Sequence, residues 1–288
     1  AAQHFRRAAE IDPDDHDARL ELAVALSRSG ALPEAHRTLE QLVADAPTFA
    51  PARLALATLL AQMGRATEAI EAAHQMLALD ATDAELVGAH MLAGRLSEGV
   101  DPGRAEAHYR EALRLDESPR ARFRLALVLG RQSRFDEASV EFDALVEAVP
   151  DEPSYRVGQT MALLLGESYP AAKAALDSAR QRFPDNVDFA HTLARLLATS
   201  PDDTVRDGAA AMELARQAFE GRQSIDHAET LGMALAEMGR FEEAASWQRQ
   251  VVAQREQQGP GPPLERSRRY LSLYESGQPV RAPWLEGG

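Results

Sequence analysis

Eight histidines, a single lysine and two acid-rich stretches are the residues of this chain whose types could support chemistry. None of the histidines stands in a His-x3-His spacing beside a glutamate, and the His-Glu-x-x-His spacing of a zinc hydrolase is absent. His16, His36, His74, His108 and His227 fall at expected helix starts or outer faces and read as solvated or packed. Any Schiff-base or phosphate-loop chemistry would rest on Lys173, which lies in Pro-Ala-Ala-Lys-Ala-Ala with no glycine-rich loop before it. Asp12-Pro-Asp-Asp-His-Asp17 lines up oxygen donors without the glycine and distal glutamate of a calcium loop, so it reads as a helix cap. In Ser200-Pro-Asp-Asp203 the two carboxylates could hold a cation weakly, and a capped turn is the plainer reading. The absence of cysteine excludes disulfides, thiolate metal sites and a thiol nucleophile. Without a nucleophile elbow or a catalytic carboxylate pair, we expect no enzymatic activity, no cofactor and no metal site.

Charge and hydropathy narrow the partners. A formal net charge of −14 with a pI near 5.1 repels a phosphate backbone, and no basic run interrupts it, so nucleic acid is not an expected partner. The longest apolar runs, such as 161–165, fall far short of the ~20 residues a membrane helix needs, so no membrane insertion is expected. Arginine replaces lysine almost throughout, as GC-rich coding would dictate. That usage points to a bacterial source, with cytoplasm and periplasm both open to a cysteine-free chain.

The elements that must position any site are set by a beat. Ala1, Ala35 and Ala69 stand 34 residues apart, and Pro13 and Pro47 repeat the same step. Around each alanine the pattern is that of two helices joined by a short turn. Ala1, Phe5, Ala8 and Pro13 form a lone second helix; Leu22, Ala23, Leu26, Gly30, Ala35, Leu39 and Pro47 make the first full unit. Leu56, Ala57, Leu60, Gly64 and Ala69 make the next. The step to Ala105 is 36, which inserts about two residues around 97–103, and the step from Ala172 to Ala211 is 39, which inserts five residues within Thr199–Gly208. In the fifth unit the first helix reads either from Val157, Gly158 and Met161 or two to three residues later. The earlier register is preferred because Gly158 suits a close helix contact. Glycine before the second helix permits a left-handed turn, proline after it blocks continuation, and the following acids cap the next helix.

These residues and this period resemble the tetratricopeptide repeat family. The resemblance implies an all-α, right-handed solenoid of antiparallel helix pairs. Expected are an array over 1–255, with a half repeat at 1–13 and about seven repeats, a Pro/Gly linker over 256–263, and a capping helix with irregular tail over 264–288. Trp284 is expected either on the cap or facing a partner. In proteins that resemble this family, one face of each first helix lines a concave groove. Carried over position by position, that face includes Asp17, Leu20, Val24, Leu54 and Thr58, then Arg95, Arg120, Phe123, Arg124, Leu127 and Arg131, then Met161, His191, Arg195, Glu229 and Met233. Guanidinium groups suit carboxylates. The expectation is therefore a non-catalytic scaffold binding a protein or peptide segment, acidic in character, in that groove. The alternative is the repeat segment of a larger bacterial enzyme or export machine, since Ala1 belongs to a second helix without its first. Partner identity and oligomeric state do not follow from these residues.

Overall fold

The computed structural model describes residues 2–284; Ala1 of the expected half repeat and 285–288 of the expected tail lie outside them. Sixteen α-helices and no strand are found among the described residues. They fall into two compact units, Ala1–Gln132 and Ser133–Gly288. The first unit runs through α1 (Ala2–Ile11), α2 (His16–Arg28), α3 (Leu32–Asp45), α4 (Ala50–Gln62), α5 (Ala66–Leu77), α6 (Asp83–Ser97), α7 (Pro102–Leu115) and α8 (Pro119–Arg131). The second runs through α9 (Phe135–Ala148), α10 (Pro153–Leu165), α11 (Tyr169–Arg182), α12 (Val187–Thr199), α13 (Gly208–Gly221), α14 (Ile225–Glu237), α15 (Phe241–Gln258) and α16 (Pro262–Glu275). Within each unit every helix packs on the next in sequence.

The beat is a packing requirement. Ala35, Ala69 and Ala105 in the first unit, and Ala138, Ala172, Ala211 and Ala244 in the second, have no exposed surface. Only a methyl group fits where two helix backbones approach this closely. Leucines such as Leu39, Leu42, Leu145 and Leu176 fill the space between pairs, each burial contributing about 2 kcal/mol relative to exposure.

The helix starts follow from their caps. Asp15 accepts from the Ala18 N–H at 2.9 Å, Thr82 and Glu85 form a reciprocal capping box, and Glu152 accepts from the Ser154 N–H. Turns into α3, α5 and α15 use Gly30, Gly64 and Gly239 at φ of 83°, 76° and 75°. Ser133 and Glu167 take the same left-handed conformation before α9 and α11, without glycine's freedom.

Three expectations are revised. In the fifth repeat Val157 and Met161 are exposed, whereas Thr160, Ala162 and Leu164 are buried, so the later register holds. Gly158 does make a close contact, but with Phe142 of the preceding helix α9: a Cβ there would lie 2.2 Å from the ring. At the end of the chain α15 continues to Gln258 and α16 opens on Pro262, leaving 259–261 between them. Trp284 is partly buried with its ring against Tyr169 at the start of α11, centroids 5.8 Å apart, a neighbour that neither expected placement named.

That last contact ends a segment that returns across the second unit. Beyond Gly277, at φ 71°, Val280 is buried, the Ala282 N–H donates to Thr199 O at 2.9 Å, and the Arg281 guanidinium reaches Ala198 O and Glu237. Glu237 also holds Arg206 of the loop between α12 and α13.

Candidate functional site

In the first unit the helices α2, α4, α6 and α8 line two adjoining depressions that share Thr58. The first, of about 400 Å³, is apolar: Leu20, Val24, Leu54 and Ala55 form its walls, with Glu21 and Glu85 at the edge. The second, of about 440 Å³, has Val87, Gly88 and Met91 along α6 and three guanidinium-bearing residues, Arg95, Arg120 and Arg124. The apolar periodicity of α6 places Val87, Met91 and Arg95 on one face, one helical turn apart. Thr58 spends its hydroxyl on its own helix, donating to Leu54 O at 2.8 Å.

The arginines expected in the groove do not share one environment. Arg124 and Arg131 both reach Glu98, at 3.4 and 2.9 Å, and that carboxylate also accepts from the Tyr109 hydroxyl at 2.6 Å. Burial, reinforced by Glu98, holds the Tyr109 hydroxyl well above the usual phenol range, so it remains a donor. Arg95 and Arg120 are exposed and make no ion pair with any of the described residues. Glu98, which pairs with two of the four arginines, lies in the two-residue insertion and had no sequence signal beyond that place.

The other expected groove residues distribute as follows. Leu54 and Thr58 line the depressions. Phe123 and Leu127 are half-buried on α8 and line neither. Arg195 belongs to the second unit, on α12 with His191, whose imidazole is held below its ordinary value by burial first and by Arg195 second. Glu229 and Met233, expected on an open face, are buried. The reason is α16: the Ser267 hydroxyl donates to Glu229 at 2.7 Å, and the Gln248 amide donates to Glu229 at 3.1 Å and to Ser267 O at 2.9 Å.

Acid clusters that invited a chemical reading are engaged in turns. Asp202 accepts from the Thr204 N–H and hydroxyl, at 2.9 and 2.7 Å, and Asp203 pairs with Arg206. Among the described residues no group of histidines and carboxylates is arranged to hold a metal ion, and no helix is long and apolar enough to cross a membrane.

Comparison with known proteins bears on the helix pairs. Three family models, each described as tetratricopeptide repeat, match residues 1–49 and 28–90, 91–153, and 225–257. No curated protein matches the chain. Among solved structures, the C-terminal part of a TPR repeat-containing protein from Cytophaga hutchinsonii aligns at TM-score 0.64 and 14% identity, over 81% of this chain and 94% of that one. YrrB, described as a TPR protein with an unusual peptide-binding site, aligns at TM-score 0.55 and 21% identity over 67% of this chain and 98% of its own. A tetratricopeptide repeat protein from Parabacteroides merdae aligns at TM-score 0.53 and 16% identity over 90% and 98%. At such identities the likeness is one of fold.

Proposed function

This chain belongs to the tetratricopeptide repeat family, a protein-interaction scaffold, and on that premise we propose that the paired depressions of its first unit take up an acidic segment of another protein. One observation carries the proposal: in a chain of net charge −14, Arg95 and Arg120 point into an apolar-walled depression with their charge uncompensated. Their neighbours Arg124 and Arg131 share the single carboxylate of Glu98. A guanidinium pair free to make charge-assisted hydrogen bonds is suited to carboxylates. The adjoining Leu20, Val24 and Leu54 offer apolar area to the same ligand. The peptide-binding site attributed to YrrB lends support by analogy of fold. The activity proposed is binding without catalysis.

The test is titration of a fluorescent peptide alternating leucine and aspartate. Arg95→Ala with Arg120→Ala is expected to weaken binding about tenfold, the loss shrinking at high salt, as two partly exposed charge contacts would require. Arg131→Ala, whose partner is Glu98, is the control and should change little. Equal affinity of the double variant and the parent would remove the groove assignment.

A further inference from the structure

Away from the groove, three imidazoles from successive helices of the first unit touch one another. His74 Nε2 of α5 lies 3.5 Å from His108 Nε2 of α7, and the other nitrogen of that ring, His108 Nδ1, lies 3.1 Å from His90 Nδ1 of α6. All three are half-buried. With each ring neutral, the arrangement is a chain in which every contact has one N–H donor and one bare nitrogen acceptor. His108 turns one nitrogen to each neighbour, so the three do not converge on a common point for a metal ion.

The charges around the chain give added protons little compensation. On α7, Arg104 and Arg114 repel charge on His108 and His90, and Glu111, the carboxylate acting on His90, is already engaged with Arg114 at 2.8 Å. On α5, Glu71 accepts from Gln75 at 3.0 Å. The depression beside His74 adds His36, Glu40, Arg65 and Glu68 from α3 and the α5 end, and α4 contributes the uncharged Leu56 and Leu60. Of these, Glu68 is held by Arg65, and Glu40 faces His36. On α8, Arg120 and Arg124 lie toward the groove. One proton on His108 could be shared between both neighbours, but a second would place two cations 3.1 to 3.5 Å apart.

We propose that the His74–His108–His90 chain is a pH-sensitive latch: at neutral pH it holds α6 between α5 and α7, and in mild acid it releases that packing. Because α6 carries Val87, Met91 and Arg95, release also loosens the groove, a coupling that rests on the binding reading above. Titration agrees in sign. Burial, then His90, His74 and Arg104, hold His108 down from 6.5 to about 4, and burial lowers His90. A base whose affinity for protons is lower folded than unfolded stabilises the fold above its unfolded pKa. That stability is lost as pH falls from 6.5 toward about 4.

Amide hydrogen exchange on the whole chain, corrected for intrinsic rates, reads the latch directly. Between about pH 7 and about pH 5 the opening equilibrium of α5–α7 amides should rise about five- to twentyfold, the upper figure being that of an unscreened His108. In His108→Gln, and independently in His90→Gln, the rise should shrink to about twofold. An acid response absent from the parent, or undiminished in both variants, overturns the latch. The leucine–aspartate peptide is titrated in parallel. If exchange responds while the Arg95 and Arg120 substitutions leave peptide affinity unchanged, the latch stands and the groove reading fails.

Discussion

Replacing Gly158 by alanine tests a close contact between α10 and α9 in the second unit. A Cβ built there meets Phe142 Cε1 at 2.2 Å and Cζ at 2.3 Å, and the Phe142 ring is itself buried. The whole ring, rather than a flexible tip, must therefore shift in a packed core, an overpacking cost of about 1–3 kcal/mol. Alanine recovers about 0.8–1 kcal/mol through its better helix propensity, so with displacement of a whole ring at the upper end of that range, about 2–3 kcal/mol, the net loss is about 1–2 kcal/mol. For a unit of this size that lowers Tm by about 2–8 °C. Thermal unfolding followed by circular dichroism measures it. Gly130→Ala, in α8 of the first unit, is the control for helix propensity alone, since its Cβ would meet nothing within 4 Å, and it should hold or raise Tm. In a Phe142→Leu background the Gly158→Ala penalty should fall by at least half, because the smaller side chain vacates the collision. An unchanged or higher Tm for Gly158→Ala, or the same loss in both backgrounds, would refute the reasoning.

Two further substitutions probe the turns and the seating of α16. Glu167→Gly, at φ 57°, relieves left-handed strain in the turn before α11 and should stabilise by about 0.5–1 kcal/mol in urea unfolding; destabilisation would count against the turn account. Glu229→Ala strips the acceptor from Ser267 and Gln248 in a buried network, with an expected cost of about 2–4 kcal/mol and the largest loss of exchange protection in α16. Protection lost evenly along the second unit would contradict a role confined to α16.

The fold was legible because its strongest constraint acts on residue size at a fixed spacing. The seven buried alanines from Ala35 to Ala244 follow the period once its two insertions are allowed for, and turn glycines and capping acids sit at the joints. Where a joint lacked its usual residue the reading weakened. Ser133 and Glu167 replace glycine, and in the fifth repeat Thr160 takes the place of the small helix residue, so Gly158 drew the register two residues too early. The candidate site was legible as a face, not as an electrostatic environment. Sequence position put Arg95, Arg120, Arg124 and Arg131 together, but not the Glu98 that divides them into two paired and two unpaired. Likewise, nothing in the spacing of His74, His90 and His108 announces that their rings meet, because helices of three different pair members bring them together.

The returning C-terminal segment alters how the second unit resists unravelling. A stack of helix pairs is held by neighbour contacts alone, so its terminal pair ordinarily frays first, without consulting the pairs behind it. Here Arg281 bonds the carbonyl of Ala198, 83 residues earlier, and Trp284 lies against Tyr169. The last helix is thereby knotted into a closed circuit with the ends of α11, α12 and α14, and its detachment must break contacts two repeats away. A helix that neighbour contacts alone would leave soft becomes part of the unit's cooperative centre.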